Sequence, residues 1–138
     1  MWIGEQNIAQ AIDRKNFPFL LAAVFLTLSL AGICIAATIK VSNDALWMIG
    51  GTELLIYLIG NAVCALVVKR IGRFVKRTLL AYFLHLVLLI GITRLITGSS
   101  FSAKESVVPI YGALVICFLM SMGLVLFIRQ ILTMLKDN

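Results

Sequence analysis

The sequence predicts an all-α integral membrane protein, a four-helix bundle with both termini on the cytoplasmic side, and three observations predict it. Of 138 residues, 62% are hydrophobic and 13% charged, against about 45–50% and about 25% in soluble domains. A chain this short cannot hide so much apolar surface in its own core, so lipid must cover it. Four apolar runs are each long enough for a hydrocarbon layer of about 30 Å, which takes about 20 helical residues. Lys and Arg, finally, are divided unevenly between the connections.

Residues 1–16 are polar enough to stay outside the hydrocarbon. Ile8 and Ile12, four residues apart with Trp2 nearby, match a short helix lying flat on the membrane surface, with a frayed tail as the alternative. The four-helix domain is expected over residues 17–138, beginning with a span at residues 17–39. That run exceeds the apolar core of about 7–15 residues in a cleaved signal, so it is expected to be retained. Ala23, Thr27 and Ala31 recur in it at every fourth position. Such a stripe lets helix backbones approach closely where no hydrophobic effect separates helix from lipid. Packing inside the bundle is the expected use, a partner interface the alternative.

The second span, residues 46–68, carries the most informative polar pattern. Glu53, Tyr57, Asn61 and Cys64 follow at steps of four, four and three, which keeps them on one helical face, turned toward protein rather than lipid. An ionisable residue at membrane depth is costly unless paired, which makes Glu53 a functional-site candidate. Wetting at the nearby interface is the alternative. The connection that follows is strongly basic, with Lys69, Arg70, Arg73, Lys76 and Arg77.

The third span, residues 78–97, offers partners in Tyr82, His85, Thr93 and Arg94. His85 and Arg94 are nine residues apart, about 900° of helix and so half a turn out of phase. Only one can face the second span. Arg94 lies nearer the boundary and can extend to the headgroups, whereas His85 cannot. Depths counted from the centres of the apolar runs put Glu53 level with Arg94 and Asn61 level with His85, and the second two are the expected interior pair. The fourth span, residues 107–128, opens at Pro109, where a missing N–H matters least. It repeats the small-residue stripe at Ala113, Cys117 and Ser121, with the same expected use inside the bundle.

Orientation follows from the basic residues. Arg14, Lys15, Lys69, Arg70, Arg73, Lys76, Arg77, Arg129 and Lys136 fall on one side and Lys40, Arg94 and Lys104 on the other. The positive-inside rule makes the first side cytoplasmic. So strong a bias argues against an antiparallel homodimer of oppositely inserted copies.

The net charge of +6 is accounted for by anionic headgroups rather than nucleic acid, since no aromatics interleave with a basic face. Cys34, Cys64 and Cys117 lie in separate spans and read as small packing residues, with no pair close enough in sequence for a metal or redox couple. One histidine cannot provide two axial haem ligands within a chain, and no cofactor or metal is expected. The sequence holds no phosphate-binding glycine loop, no clustered carboxylates and no nucleophile beside a base, so no enzymatic activity is expected.

Several of these features together resemble the ATP synthase protein I family of small four-helix membrane proteins. They are Gly50-Gly51 opening the second span, Asn61 deeper in it, the short basic turn, polar residues three apart in the third span and Val107-Val108-Pro109 opening the fourth. The resemblance implies a non-catalytic role in assembling or holding the synthase rotor ring. Where the family tends to carry Gly-Glu-x-x-Lys, this chain has Ala81-Tyr82-Phe83-Leu84-His85, so that Glu and Lys have no like-for-like counterparts here.

Three functions are consistent with these features. The leading expectation is a non-enzymatic protein of the bacterial inner membrane that acts through helix contacts with another integral membrane protein, such as the rotor ring. The alternatives are a small proton- or cation-coupled transporter or channel acting as a homo-oligomer, with Glu53 and His85 as its working groups, and an immunity or exclusion protein against a pore-forming toxin.

Overall fold

A computed structural model describes residues 16–98 and 107–136, and these form four long helices: α1 Phe17–Thr38, α2 Asn43–Val67, α3 Ile71–Thr97 and α4 Val108–Lys136. All four are long and apolar enough to cross a membrane. The segment 1–15, with its proposed surface helix, Arg14 and Lys15, and the connection holding Lys104 lie outside the described residues.

Local chemistry sets each boundary. Pro18 occupies the first turn of α1, where no intrahelical donor is needed. The helix stops in a paired-bond turn: Val41 N–H donates to the Ala36 carbonyl and Lys40 N–H to that of Ala37. This is the Schellman arrangement, which requires a left-handed residue. Lys40 adopts it, with φ 58°, in a place where glycine is usual. Ser42 then caps α2, its hydroxyl accepting from Ala45 N–H at 3.4 Å, with Asp44 in the first turn, where a negative charge complements the helix dipole.

The far end of α2 is held from another helix. Arg129 of α4 donates to the carbonyls of Ala65 and Val68, groups that have no partner within their own helix. Only Val68, Lys69 and Arg70 separate α2 from α3. The helix that carries the third span therefore begins two turns before residue 78. Arg73, Lys76 and Arg77 lie on α3 itself, because Lys and Arg are good helix formers and their long side chains reach the headgroups from there. Likewise the helix that carries the fourth span, α4, runs on past residue 128 to Lys136, which makes it about 43 Å long.

α2 is the central element, packing on α1, α3 and α4, while α1 also lies along α3. Asn43 at the start of α2 donates to the Thr97 carbonyl at the end of α3, 3.5 Å away, as antiparallel neighbours allow. One aromatic ring from each helix joins a row through the core. Phe25 meets Tyr57 edge-on at 5.6 Å, Tyr57 stacks beside Tyr82 at 6.3 Å, and Tyr82 lies flat on Phe118 at 3.9 Å. Gly50 makes the α2–α4 approach possible, since a Cβ there would stand 2.8 Å from the Tyr111 hydroxyl oxygen. That hydroxyl donates to the Trp47 carbonyl at 2.9 Å.

The small-residue stripes do not pack inside. Ala23, Thr27, Ala31, Ala113 and Cys117 are exposed and Ser121 is half-buried, which overturns the expectation of internal packing. What α1 buries instead is Ala22, Ser29 and Ala36 at seven-residue spacing, with Pro18 and Ile33. On α4 the buried face is made of large residues, Tyr111, Leu114, Phe118, Met122 and Val125. The outer surface is aliphatic and aromatic, with Leu20, Ile35, Val87, Leu124 and Phe127 all exposed, as lipid contact requires.

Candidate functional site

The buried polar residues converge on the face between α2 and α3. Glu53, Tyr57 and Asn61 of α2 are buried, and Cys64 is half-buried at the edge of the same stripe. α3 turns Thr78, Tyr82, His85 and Thr93 inward, a line of polar side chains about 22 Å long at 1.5 Å per residue. Thr78 belongs to this set although sequence reasoning passed over it. Its spacing of four from Tyr82 and seven from His85 is the signal that places it there. Ser29 of α1 is buried as well and was likewise missed, because one serine in a uniformly apolar run carries no periodic signal.

At the centre, His85 Nε2 lies 3.0 Å from Glu53 Oε2. The expected partner, Asn61, is bonded elsewhere: its side-chain N–H donates to the Tyr57 carbonyl at 2.8 Å. The helix ends explain the correction. Over Asn43–Val67 the midpoint of α2 is Leu55, and over Ile71–Thr97 that of α3 is Leu84. Measured from these, Glu53 lies about 3 Å and His85 about 1.5 Å from the middle, both away from the basic turn, whereas Asn61 lies about 9 Å the other way. Glu53 and His85 are level. Arg94 is exposed on the other side of α3, half a turn away from His85.

The pair sits in a polar pocket inside a hydrophobic shell. The Tyr57 ring is 5.0 Å from the imidazole, and its hydroxyl is 3.5 Å from the Pro18 carbonyl, to which it donates. Nε2 and Oε2 satisfy one another through a single hydrogen bond. Their companions, Glu53 Oε1 and His85 Nδ1, are buried without a hydrogen-bond partner, as are Ser29 Oγ, Asn61 Oδ1, the Tyr82 hydroxyl and the hydroxyls of Thr78 and Thr93. Orphaned polar atoms are rare in native interiors, and each calls for an explanation.

α1 covers the pair and leaves a groove on each flank. Between α1 and α2 a cleft of about 540 Å³ reaches Glu53 and Ser29 past Phe25, Leu28, Met48 and Ile56. Between α1 and α3 a smaller one of about 180 Å³ reaches His85 past Phe19, Leu26 and Leu88. Chemically, a carboxyl and an imidazole sharing one hydrogen bond can pass a proton between Oε2 and Nε2, with Oε1 and Nδ1 as the two outer polar atoms of the pair. Among the described residues no three His, Cys, Asp or Glu side chains gather where they could hold a metal ion. The basic set divides between Lys69 and Arg70 in the turn and Arg73, Lys76 and Arg77 on α3, remote from the pair.

Compared with protein-family models, with curated proteins and with solved structures, the chain finds no match.

Proposed function

We propose that this protein handles protons, or a cation in exchange for them, as a non-enzymatic multi-pass protein of the bacterial inner membrane. It works as a homo-oligomer with both termini in the cytoplasm. The observation that carries this reading is the Glu53–His85 contact of 3.0 Å, buried near the middle of α2 and α3 with an unpartnered polar atom at each end. A carboxyl–imidazole pair is an expensive way to join two helices that already share a packed aromatic row, and intramembrane ionisable pairs are characteristic of proton and ion pathways. The line from Thr78 through Tyr82 and His85 to Thr93 extends the polar surface along most of the bilayer thickness. The cytoplasmic assignment of the termini is supported by the basic turn. Proteoliposomes holding an imposed pH gradient provide the test. The wild-type chain should dissipate the gradient and Glu53→Gln and His85→Ala should not. Equal rates for all three would overturn the reading.

A second reading rests on the exposed stripes Ala23-Thr27-Ala31 and Ala113-Cys117-Ser121. Facing outward, they offer two places where another helix can come close, in keeping with a role exerted through contact with a second integral membrane protein. The resemblance to ATP synthase protein I makes the rotor ring the first partner to test, and a pore-forming toxin is the second. Purification in mild detergent should then bring down a stoichiometric membrane partner that Ala23→Leu and Ala113→Leu release; a chain that purifies alone would count against it.

A further inference from the structure

We infer that the groove between α1 and α2 binds a lipophilic ammonium ion, with its alkyl body against Phe25, Leu28, Met48 and Ile56 and its N–H groups donating to Glu53 and Ser29. The inference rests on the proton-handling reading and names the cation exchanged there. At about 540 Å³ the groove falls within the size range of small-molecule sites, and its pattern of apolar walls with a few convergent polar groups is theirs too.

The polar groups choose the ligand's chemistry. Glu53 and Ser29 are more than nine-tenths buried, and each carries an oxygen with no partner. The third polar lining group, the Thr52 hydroxyl, already donates to the Met48 carbonyl at 2.9 Å. No Lys or Arg lines the cleft. The site therefore offers acceptors and asks for donors. A lipid acyl chain filling it would leave both oxygens unsatisfied, an anion would meet a carboxyl, and a quaternary ammonium would bring charge without N–H groups. A primary ammonium satisfies both oxygens.

Cation and proton then compete. The titratable groups facing the carboxyl are His85 of α3, Tyr57 of its own helix and Tyr111 of α4; α1 contributes no acid, base or tyrosine. An ammonium seated at Glu53 supplies the positive charge that a proton on the Glu53–His85 pair otherwise supplies. Its entry releases that proton to water, and its departure takes one back. No other bond changes.

The test uses the full chain in lipid nanodiscs, titrated with octylammonium, octyltrimethylammonium, octanol and octanoate, with heat and released protons recorded together in weak buffer. Octylammonium should saturate one site and release protons, and the other three should bind at least tenfold more weakly. Glu53→Gln should weaken octylammonium at least tenfold. Met48→Trp should do the same by filling the groove from an exposed position, and it leaves the Glu53–His85 pair untouched should Glu53→Gln not fold. Octanol binding as tightly as octylammonium, binding unchanged in Met48→Trp, or binding without proton release would each overturn the inference and leave a groove that takes acyl chains only. Saturable, proton-releasing binding in a protein that dissipates no pH gradient would keep the site and sink transport; dissipation without such binding would do the reverse.

Discussion

Gly50→Ala is predicted to destabilise the bundle while Gly51→Ala, one residue on, does not. At Gly50 the added methyl would stand 2.8 Å from the Tyr111 hydroxyl oxygen and 3.2 and 3.3 Å from the two Leu89 methyls. Leu89 can turn aside, but Tyr111 is pinned by its 2.9 Å bond to the Trp47 carbonyl and by its edge contact with the Trp47 ring at 6.2 Å. Overpacking of this kind costs about 1–3 kcal/mol, and displacing the hydroxyl forfeits about 1 kcal/mol of hydrogen bond. Against that, alanine gains about 0.5–1 kcal/mol over glycine within a helix. The net loss is about 1–3 kcal/mol. At Gly51 the nearest atom to a new Cβ is 3.7 Å away, ordinary contact, so the helix preference stands alone and the variant should match or exceed wild type. Reversible unfolding by SDS from mild detergent measures both. Gly50→Ala/Tyr111→Phe, which removes the oxygen that is met, should recover part of the loss. Equal stability of the two alanine variants would refute the packing of α2 on α4 described above.

Three further outcomes are expected. Lys40→Gly should raise stability by about 1 kcal/mol in the same assay, since it relieves a left-handed backbone that side chains resist. Arg129→Ala should lower it by about 1.5–3 kcal/mol, the worth of hydrogen bonds from a charged donor, with hydrogen exchange increasing first at the end of α2. Glu53→Gln and His85→Ala should each cost about 3–5 kcal/mol, as breaking a buried pair does, and the double variant should cost far less than the two together; additive losses would mean the side chains do not touch.

The apolar runs carried the helix count, and the four-residue spacing of Glu53, Tyr57 and Asn61 carried the buried face of α2. Depth was harder to read. A helix extends past its hydrocarbon stretch, and Arg73, Lys76 and Arg77 belong to α3 while reading as a loop. Including them moves the midpoint of α3 from Leu88 to Leu84, about 6 Å, and that shift exchanges Asn61 for Glu53 as the partner of His85. Faces were hardest in α1. In a soluble helix, polarity marks the side away from the core, but lipid and core are equally apolar. Ala22-Ser29-Ala36 and Ala23-Thr27-Ala31, centred about 160° apart around the helix, therefore look alike in sequence. Only packing distinguishes them. The second free acceptor, Ser29, lies on the buried set and was invisible for the same reason.

The account turns on Glu53 and His85 acting as one proton-binding unit, and the chain contains a single histidine. Protein labelled with ¹⁵N-histidine therefore yields only the His85 imidazole signals, which solid-state NMR in lipid bilayers can follow as the buffer pH is changed. Glu53→Gln should alter the ring signals, that of Nε2 most, because this nitrogen lies 3.0 Å from Glu53 Oε2. Ring signals identical in wild type and Glu53→Gln at every pH would contradict the claim.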